Sequence, residues 1–166
     1  AFEAVREAAL RRGFGVSGSE LVGLAPVAAL VEAGRHFQRK ANASPGLPER
    51  ALVETAIKAL GLDSKSAFEP DKKIIEWALA KKNRLVDRSV YELVDELSSP
   101  SPAPGGGTAS ACMGAMGAAL AAMVANLGIG KKGLEDRTAE LESIALQAQE
   151  LKTELLGRAD EDSEAF

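Results

Sequence analysis

The sequence predicts an α+β fold that is mainly α, built from two structural units of different composition. Apolar residues recur every three to four positions between proline and glycine boundaries over most of the 166 residues. Two short apolar runs, at 14–16 and 17–24, are the stretches that favour strands. Residues 1–83 carry 13 Lys/Arg and 10 Asp/Glu, whereas residues 84–166 carry 7 and 14. This change in net charge from +3 to -7 places a boundary near residues 80–88.

The first half is predicted to hold four helices. Three of them cover residues 1–12, 26–40 and 48–60, and the fourth lies after Pro70 within the stretch 68–80. Proline suits the first turn of a helix, because the backbone N–H that it lacks has no intrahelical acceptor there. The turn cluster at 42–46 separates the second helix from the third. Gly61 closes the third helix, since glycine adopts the left-handed conformation of a C-cap without strain.

The second half is predicted to be entirely helical. Ser89 and Glu92 have the spacing of a capping box at the start of its first helix. A loop rich in proline and glycine follows at 98–107, and Thr108 is the expected N-cap of a helix that runs to about Asn126. The last helix begins near residue 134 or 135 and reaches at least Leu156. Its predicted bundle-facing stripe is Leu141, Ile144, Ala148, Leu151 and Leu155.

Composition excludes several classes of function. A net charge of -4 disfavours a general binder of nucleic acid or of anionic membranes. Cys112 is the single cysteine and His36 the single histidine, so we expect no disulfide and no metal site. No signal-peptide pattern opens the sequence, and a cytoplasmic location is expected. The first residue is alanine and the last lies within a predicted helix, so we expect a segment of a longer protein.

The segment 109–127 has no charged residue, and its 19 residues are long enough for a membrane span. It consists mostly of alanine and glycine, with few large side chains to favour insertion. Gly114, Gly117 and Ala118 would suit a close helix contact in a membrane or in a soluble bundle alike. We interpret the segment as a buried helix of a soluble bundle. Because it is apolar on all sides, further helices or another subunit must cover it.

Two groups of residues could carry chemistry. Pro104, Gly105, Gly106, Gly107 and Thr108 precede or open a helix, where backbone N–H groups attract anions and glycine lets a ligand approach closely. A flexible interhelix loop explains the same residues equally well. Asp160 and Asp162 could divide acid and base roles. Residues two apart on a helix point to different faces, however, and a solvated acidic surface is the simpler interpretation.

Two further residues have plain interpretations. His36 lies on a predicted helix between Arg35 and Phe37, and we interpret it as a structural or surface residue. Cys112 has no histidine near it in the sequence, so a small buried residue is a better interpretation than a nucleophile.

The chain resembles two successive parts of the formimidoyltransferase-cyclodeaminase family. The first half resembles the C-terminal subdomain of the transferase part, through SGSELVGLAP (17–26), AGRHF (33–37), LPERALVETAIKALGL (47–62) and FEPDKKIIEWAL (68–79). The second half resembles the start of the cyclodeaminase domain. The matching stretches there are YELVDELSSPSPAPGGGTASA (91–111), MGAALAAMVANL (116–127), GKK (130–132) and DEDSEAF (160–166). The order of the two parts is more specific than any single motif.

The resemblance implies an architecture and a pair of reactions. Residues 1–82 would be the end of an α/β transferase subdomain, 83–88 a linker, and 89–166 the first helices of an all-α cyclodeaminase bundle. The transferase moves the formimidoyl group of N-formimidoyl-L-glutamate to N5 of tetrahydrofolate, the co-substrate. The cyclodeaminase converts 5-formimidoyltetrahydrofolate into 5,10-methenyltetrahydrofolate and ammonia. Both steps belong to histidine degradation.

The resemblance also implies site residues. The cyclodeaminase aspartate falls within 160–162, and we favour Asp162, with Asp160 as the alternative. Gly105, Gly106, Gly107 and Thr108 match the glycine loop and are assigned to folate contact, and no metal is expected. The transferase base is a histidine upstream of Ala1, so His36 does not inherit that role. We therefore expect the segment alone to be inactive.

Two other functions remain open. The chain could be a cyclodeaminase-type domain that works as a methenyltetrahydrofolate cyclohydrolase, although such an enzyme would not need the transferase-like half. It could also be a non-catalytic helical segment that assembles subunits. A homo-oligomer formed through the helical domain is expected under the leading interpretation, with no nucleic-acid partner and no membrane span.

Overall fold

The computed structural model describes residues 2–80 and 84–165, and it is mainly helical. Eight α-helices lie in these two ranges: α1 (Phe2–Arg11), α2 (Val27–Lys40), α3 (Glu49–Leu60), α4 (Pro70–Lys73), α5 (Ile75–Ala78), α6 (Val90–Leu97), α7 (Gly106–Gly128) and α8 (Thr138–Glu164). Short 3-10 helices lie at Leu85–Asp87 and Glu135–Arg137. The mainly helical prediction is confirmed.

The strands predicted at 14–16 and 17–24 do not form in the described residues. The backbone there has no regular hydrogen-bond ladder, and one isolated parallel bridge joins Ala25 to Ile74. This single bridge lies outside residues 14–24, so the backbone N–H and C=O groups of that stretch have no neighbouring strand. Strand propensity alone does not make a strand when the chain folded around it supplies no partner.

The chain divides into two compact units. One comprises Ala1–Ala41 and Pro48–Ala80, and the other comprises Asn42–Leu47 and Lys81–Phe166. The predicted linker covers residues 83–88. Its first residue, 83, lies outside the described ranges, as do residues 81 and 82. The six residues 42–47 belong to the second unit, although they connect two helices of the first.

The first unit is organised around a core of large aliphatic side chains. Its fully or nearly fully buried members are Leu30, Val53, Ala56, Ile57 and Ile74, with Phe68 and Trp77 packed against them. Gly34 lets α2 approach α3 closely, because a Cβ at this position would lie 2.2 Å from the carbonyl oxygen of Leu52. Gly61 ends α3 with φ at 63°, as predicted.

His36 makes a contact between two helices, which agrees with the structural or surface role that the sequence indicated. Its Nε2 lies 2.5 Å from the Glu3 carboxylate, which also pairs with Lys40. Hydrogen bonds from Lys40 and then from His36 lower the pKa of Glu3. The single histidine therefore ties α1 to α2 within the first unit.

The second unit is built on the antiparallel pair α7 and α8. Their contact surface, named here the α7–α8 seam, consists of small side chains. Its buried members are Thr108, Cys112, Ala115, Ala118, Ala122 and Ala125 of α7 and Ala145, Ala148 and Ala159 of α8. The predicted stripe of α8 is therefore only partly right. Ala148 is buried, and Leu141 and Leu155 lie against Gly128 and Gly114 of α7, whereas Ile144 and Leu151 are exposed.

The segment 42–47 packs on this pair near the C-terminal end of α7. Asn126 accepts a hydrogen bond from the Ser44 hydroxyl at 2.6 Å and donates to the Gly46 carbonyl at 3.1 Å. Gln149 donates to the same carbonyl at 3.0 Å. Ser44, Pro45 and Gly46 are buried, so these polar groups of α7 and α8 find partners in a loop from the first half of the sequence.

Candidate functional site

The antiparallel arrangement brings the beginning of α7 next to the end of α8. Helix α7 begins at Gly106 with Gly105 as its N-cap residue, three residues earlier than the sequence predicted. Thr108 is therefore inside the helix, where its side chain faces α8. The capping box predicted at Ser89 and Glu92 is present at the start of α6.

Asp162 and Thr108 meet at this end of the unit. The Thr108 hydroxyl donates a hydrogen bond to Asp162 Oδ2 at 2.8 Å. Thr108 is 0% exposed, so its side chain lies inside the α7–α8 contact and not on the surface of the loop. Asp162 is half-buried. The predicted carboxylate and the predicted glycine loop are thus brought together by one hydrogen bond.

Gly107 leaves room for the carboxylate. A Cβ at this position would lie 2.4 Å from Asp162 Oδ1 and 2.7 Å from its Cγ, which no side chain can tolerate without displacement. Gly106 faces open space, and a Cβ on Gly105 would meet only the Pro102 carbonyl oxygen at 3.9 Å. Of the three predicted glycines, Gly107 is the one whose missing side chain determines where Asp162 lies.

The anion beside the first turn of α7 is supplied by the chain itself. The first backbone N–H groups of a helix have no intrahelical acceptors, and the helix dipole favours negative charge at this end. The sequence indicated a phosphate or a carboxylate at this position, and the structure places the Asp162 carboxylate against Gly107 and Thr108.

Asp160 lies on a different side of α8, as expected from its spacing. Its Oδ1 accepts a hydrogen bond from the backbone N–H of Val86 at 3.2 Å. The Arg84 guanidinium, also close to it, is held by Asp87 at 2.9 and 2.8 Å. The bond to Asp87, with a smaller contribution from Asp160, raises the pKa of Arg84. Asp160 therefore fixes the 3-10 helix Leu85–Asp87 against α8.

Cys112 lies one turn after Thr108 in the α7–α8 seam. Burial, and to a smaller degree the negative charge of Asp160, raises the pKa of its thiol. A thiol with a raised pKa holds less of the reactive thiolate near neutral pH. Cys112 is thus the small buried residue that the sequence indicated.

An open apolar pocket of about 210 Å³ lies beside the seam, and sequence reasoning did not find it. Its aliphatic walls come from the 3-10 helix Leu85–Asp87 and from α6, α7 and α8, with Cys112 among them. Arg88 and Lys152 supply its cationic groups. The lining comes from three stretches that are distant in sequence, within 85–93, 112–119 and 152–156, so no local motif indicates the pocket.

The sequence predicts neither a metal site nor a membrane span. Among residues 2–80 and 84–165, no group of three or more His, Cys, Asp or Glu side chains could hold a metal ion. Helix α7 is long and apolar enough to cross a membrane, and 33% of its most apolar window is buried. Core helices of soluble proteins have the same length and composition, so this one helix is weak evidence for a span.

Comparison with known proteins assigns both halves of the chain. Residues 1–80 match the model described as "Formiminotransferase domain", and residues 89–166 match the model described as "Formiminotransferase-cyclodeaminase". The chain belongs to the formiminotransferase-cyclodeaminase family. The resemblance seen in the sequence is therefore confirmed, and within this family the Asp162 site lies in the part that matches the second model.

Curated relatives of the family cover nearly all of the chain. Formimidoyltransferase-cyclodeaminase of Mus musculus is 32% identical over 168 residues, which are 99% of this chain and 31% of the relative. The Dictyostelium discoideum protein of the same name is 41% identical over 138 residues, 81% of this chain and 26% of the relative. The chain spans less than a third of the length of these relatives.

A relative with another name matches a shorter stretch. Methenyltetrahydrofolate cyclohydrolase of Methylorubrum extorquens is 42% identical over 80 residues, which are 48% of this chain and 38% of that protein.

Proposed function

We propose that the chain is part of a bifunctional folate enzyme of histidine degradation. Residues 1–82 are assigned to the end of an α/β formimidoyltransferase subdomain, 83–88 to a linker and 89–166 to the start of a helical cyclodeaminase domain. The order of the two family matches supports this assignment. The substrates are N-formimidoyl-L-glutamate and tetrahydrofolate, and the product of the second step is 5,10-methenyltetrahydrofolate.

One observation carries the cyclodeaminase assignment: the Asp162 carboxylate is held at the first turn of α7 by Thr108 and Gly107. In the cyclisation, N10 of 5-formimidoyltetrahydrofolate attacks the formimidoyl carbon and forms the new C–N bond. The bond from that carbon to the imine nitrogen then breaks, and the nitrogen leaves as ammonia. The =NH nitrogen needs two protons to leave as ammonia: the proton that leaves N10 and one taken up from solvent, which accounts for the positive charge of the methenyl product. One carboxyl group within reach of both nitrogens can carry out the two transfers.

The fixed position of that carboxyl group matters as much as its chemistry. Positioning the reacting groups replaces the entropy that a collision in solution would lose. Asp162 is tied to a buried hydroxyl and lies against backbone without a side chain, so its direction is restricted. Gly105, Gly106 and Gly107 remain the proposed folate contact, since Gly106 and Gly107 are exposed beside the carboxylate. Thr108, which the sequence also assigned to folate contact, is 0% exposed and its hydroxyl bonds Asp162, so it is withdrawn from that contact.

The test uses the full-length gene product that contains this chain. Asp162→Asn removes the proton-transferring group and is expected to abolish ammonia release from 5-formimidoyltetrahydrofolate, while the transferase reaction continues. Glu161→Gln is the matched control, because it neutralises the exposed neighbouring carboxylate. Asp160→Asn is examined in parallel. Wild-type ammonia release by Asp162→Asn would refute the assignment of Asp162, and a loss confined to Asp160→Asn would transfer the role to Asp160. The isolated segment 1–166 is expected to form no product.

A cyclohydrolase is the second candidate, favoured by the match to the Methylorubrum extorquens enzyme. Such an enzyme would hydrolyse 5,10-methenyltetrahydrofolate without needing formimidoylglutamate. The same full-length protein is therefore assayed with both folates. Rapid hydrolysis of the methenyl compound with no ammonia release from the formimidoyl compound would select the second candidate.

We further propose that the helical domain forms a homo-oligomer in the cytoplasm, with no membrane span and no nucleic-acid partner. Large apolar residues of α7 are exposed on the side away from α8, and a patch of this kind marks an interaction surface. They are Met113, Met116, Leu120, Met123, Val124 and Leu127. Leu120→Glu is expected to reduce the mass measured by light scattering. An unchanged mass would exclude this face as the subunit contact. The free Cys112 is compatible with a reducing compartment.

A further inference from the structure

We propose that Thr108 is a positioning residue of the cyclodeaminase reaction and that Gly107 is its steric counterpart. The hydroxyl holds one oxygen of Asp162, and the missing side chain at 107 provides the space in which the carboxylate lies. This inference rests on the proposed role of Asp162 as the proton-transferring group.

Because Thr108 is buried, its hydroxyl acts on groups inside the protein and not on solvent. A hydroxyl removed from water needs a hydrogen-bond partner, since an unpaired one is costly. Thr108 is 0% exposed, and its hydroxyl donates to Asp162 Oδ2 at 2.8 Å. A neutral donor to a carboxylate makes a strong, directional bond. Thr108 therefore acts on substrate through Asp162 and not by direct contact.

The two oxygens of Asp162 have different surroundings. Oδ2 is the oxygen that accepts the Thr108 bond. Both oxygens lie over Gly107, Oδ1 at 2.4 Å and Oδ2 at 2.7 Å from the place where a Cβ would be, and Oδ1 is the one that does not accept the Thr108 bond. Fixing Oδ2 and restricting Oδ1 leaves the carboxylate little rotational freedom. Oδ1, at the exposed Gly107, is the oxygen that we assign to proton transfer.

A purely structural interpretation has to be separated from this one. The same hydrogen bond joins α7 to α8 across 54 residues of sequence and could serve only to stabilise the pair. Loss of a structural tie lowers the melting temperature but leaves each folded molecule fully active. Loss of a positioning contact lowers kcat and leaves KM nearly unchanged, because the contact is not with substrate.

The experiment compares hydroxyl and methyl at position 108 in the full-length protein. Thr108→Val keeps the shape and removes the hydroxyl, whereas Thr108→Ser keeps the hydroxyl. For ammonia release from 5-formimidoyltetrahydrofolate, we expect kcat of Thr108→Val to fall about 10- to 100-fold with KM within about twofold of wild type. Thr108→Ser should restore most of kcat. Thr153→Val is the matched control, since Thr153 is exposed on α8 and bonds only the Gln149 carbonyl of its own helix.

A second variant carries the test if Thr108→Val does not fold. Gly107→Ala retains the hydroxyl but places a methyl group where the carboxylate lies, so kcat should fall in the same way. Gly117→Ala is its control, because a Cβ at 117 of the same helix meets nothing within 4 Å. Wild-type kcat in Gly107→Ala would contradict the proposal.

The outcomes separate the two proposals. If Asp162→Asn abolishes ammonia release while Thr108→Val has wild-type kcat, the positioning role is refuted and the proposed function stands. If Asp162→Asn is fully active, both fail. Equal loss of kcat in Thr108→Val and Thr108→Ser would show that the hydroxyl is not responsible. A lower melting temperature in Thr108→Val with unchanged kcat would establish the structural tie instead.

Discussion

The two units of this chain bury their helices with different kinds of side chain. The first unit buries Leu30, Val53, Ile57 and Ile74 in one cluster. The α7–α8 seam of the second unit buries alanines with one threonine and one cysteine. The distance between packed helices depends on the side chains at their contact, so small residues let two backbones approach. This difference explains why the candidate site lies at the seam.

Close approach has two consequences in the second unit. It places the Asp162 carboxylate directly on the backbone of Gly107, where a longer interhelical distance would leave a gap. Since small residues of α7 form the seam, large apolar residues of the same helix, such as Leu120 and Val124, stay exposed. The seam therefore fixes the position of the Asp162 carboxylate at one end, while large apolar residues elsewhere on α7 stay exposed.

The large-residue core should be the more sensitive to loss of volume. Ile74 is 0% exposed, and Ile74→Ala removes buried methyl groups and leaves a cavity in the first unit. We expect the free energy of unfolding to fall by about 2–5 kcal/mol. Urea denaturation followed by the fluorescence of Trp77, the only tryptophan, measures it. Leu79→Ala, at a site 79% exposed, is the control and should change little. Equal effects of the two variants would contradict this account of the core.

The small-residue seam should be the more sensitive to added volume. Ala122 is 1% exposed, so Ala122→Leu forces α7 and α8 apart. The expected loss of unfolding free energy is about 1–3 kcal/mol. Ala121→Leu makes the same change at the exposed neighbouring position and should stay within about 0.5 kcal/mol of wild type. Denaturation monitored by far-ultraviolet circular dichroism compares them, and a harmless Ala122→Leu would show that the seam has room for larger residues.

A smaller effect is expected where the segment 42–47 meets the same pair of helices. A Cβ at Gly46 would lie 2.3 Å from the Cβ of Ala145. Gly46→Ala should cost about 1 kcal/mol, because a loop can shift to relieve part of the overlap. The double variant with Ala145→Gly removes the overlapping methyl group, and a double-mutant cycle should reveal the coupling. Strict additivity of the two changes would mean that the close contact contributes nothing.

The smallest effect concerns the capping box of α6, which lies outside both packing surfaces. Hydrogen bonds from the Ser89 hydroxyl and backbone N–H lower the pKa of Glu92. The stabilisation is therefore complete above the ordinary glutamate pKa and is lost as pH falls through the lowered pKa of the folded state. On acidification, the melting temperature of Glu92→Gln should fall less than that of wild type. Glu150→Gln, at an exposed position of α8, is the control. The same acid dependence in wild type and Glu92→Gln would refute this contribution.

The sequence predicted elements whose signals are local. Proline, glycine and the Ser89–Glu92 spacing marked most helix boundaries correctly, because caps and turns depend on a few neighbouring residues. The helix start at Thr108 was wrong. A threonine before an apolar run satisfies the N-cap pattern, but Gly105 occupies the N-cap and Thr108 faces Asp162. That contact depends on residues 54 positions apart, which no local pattern contains.

Long-range packing also explains what else the sequence missed. Helical periodicity places Ile144 and Leu151 on one stripe with Ala148, yet it cannot tell which stripe of α8 meets α7. The small residues on both helices determine which stripe of α8 packs on α7, since they permit the closer contact. Asp160 and Asp162 were identified together from their chemistry. Their separate partners, the backbone of Val86 and the Thr108 hydroxyl, became visible only in the folded chain.

The position of residues 42–47 has a practical consequence for cutting the protein into pieces. A cut at residue 89, where the second family match begins, would remove Ser44 and Gly46 from the unit to which they belong. The amides of Asn126 and Gln149 would then lose the partners they have in the uncut chain. A segment that is continuous in sequence is thus not a self-sufficient folding unit here. The cyclodeaminase part should be produced together with the residues that precede it.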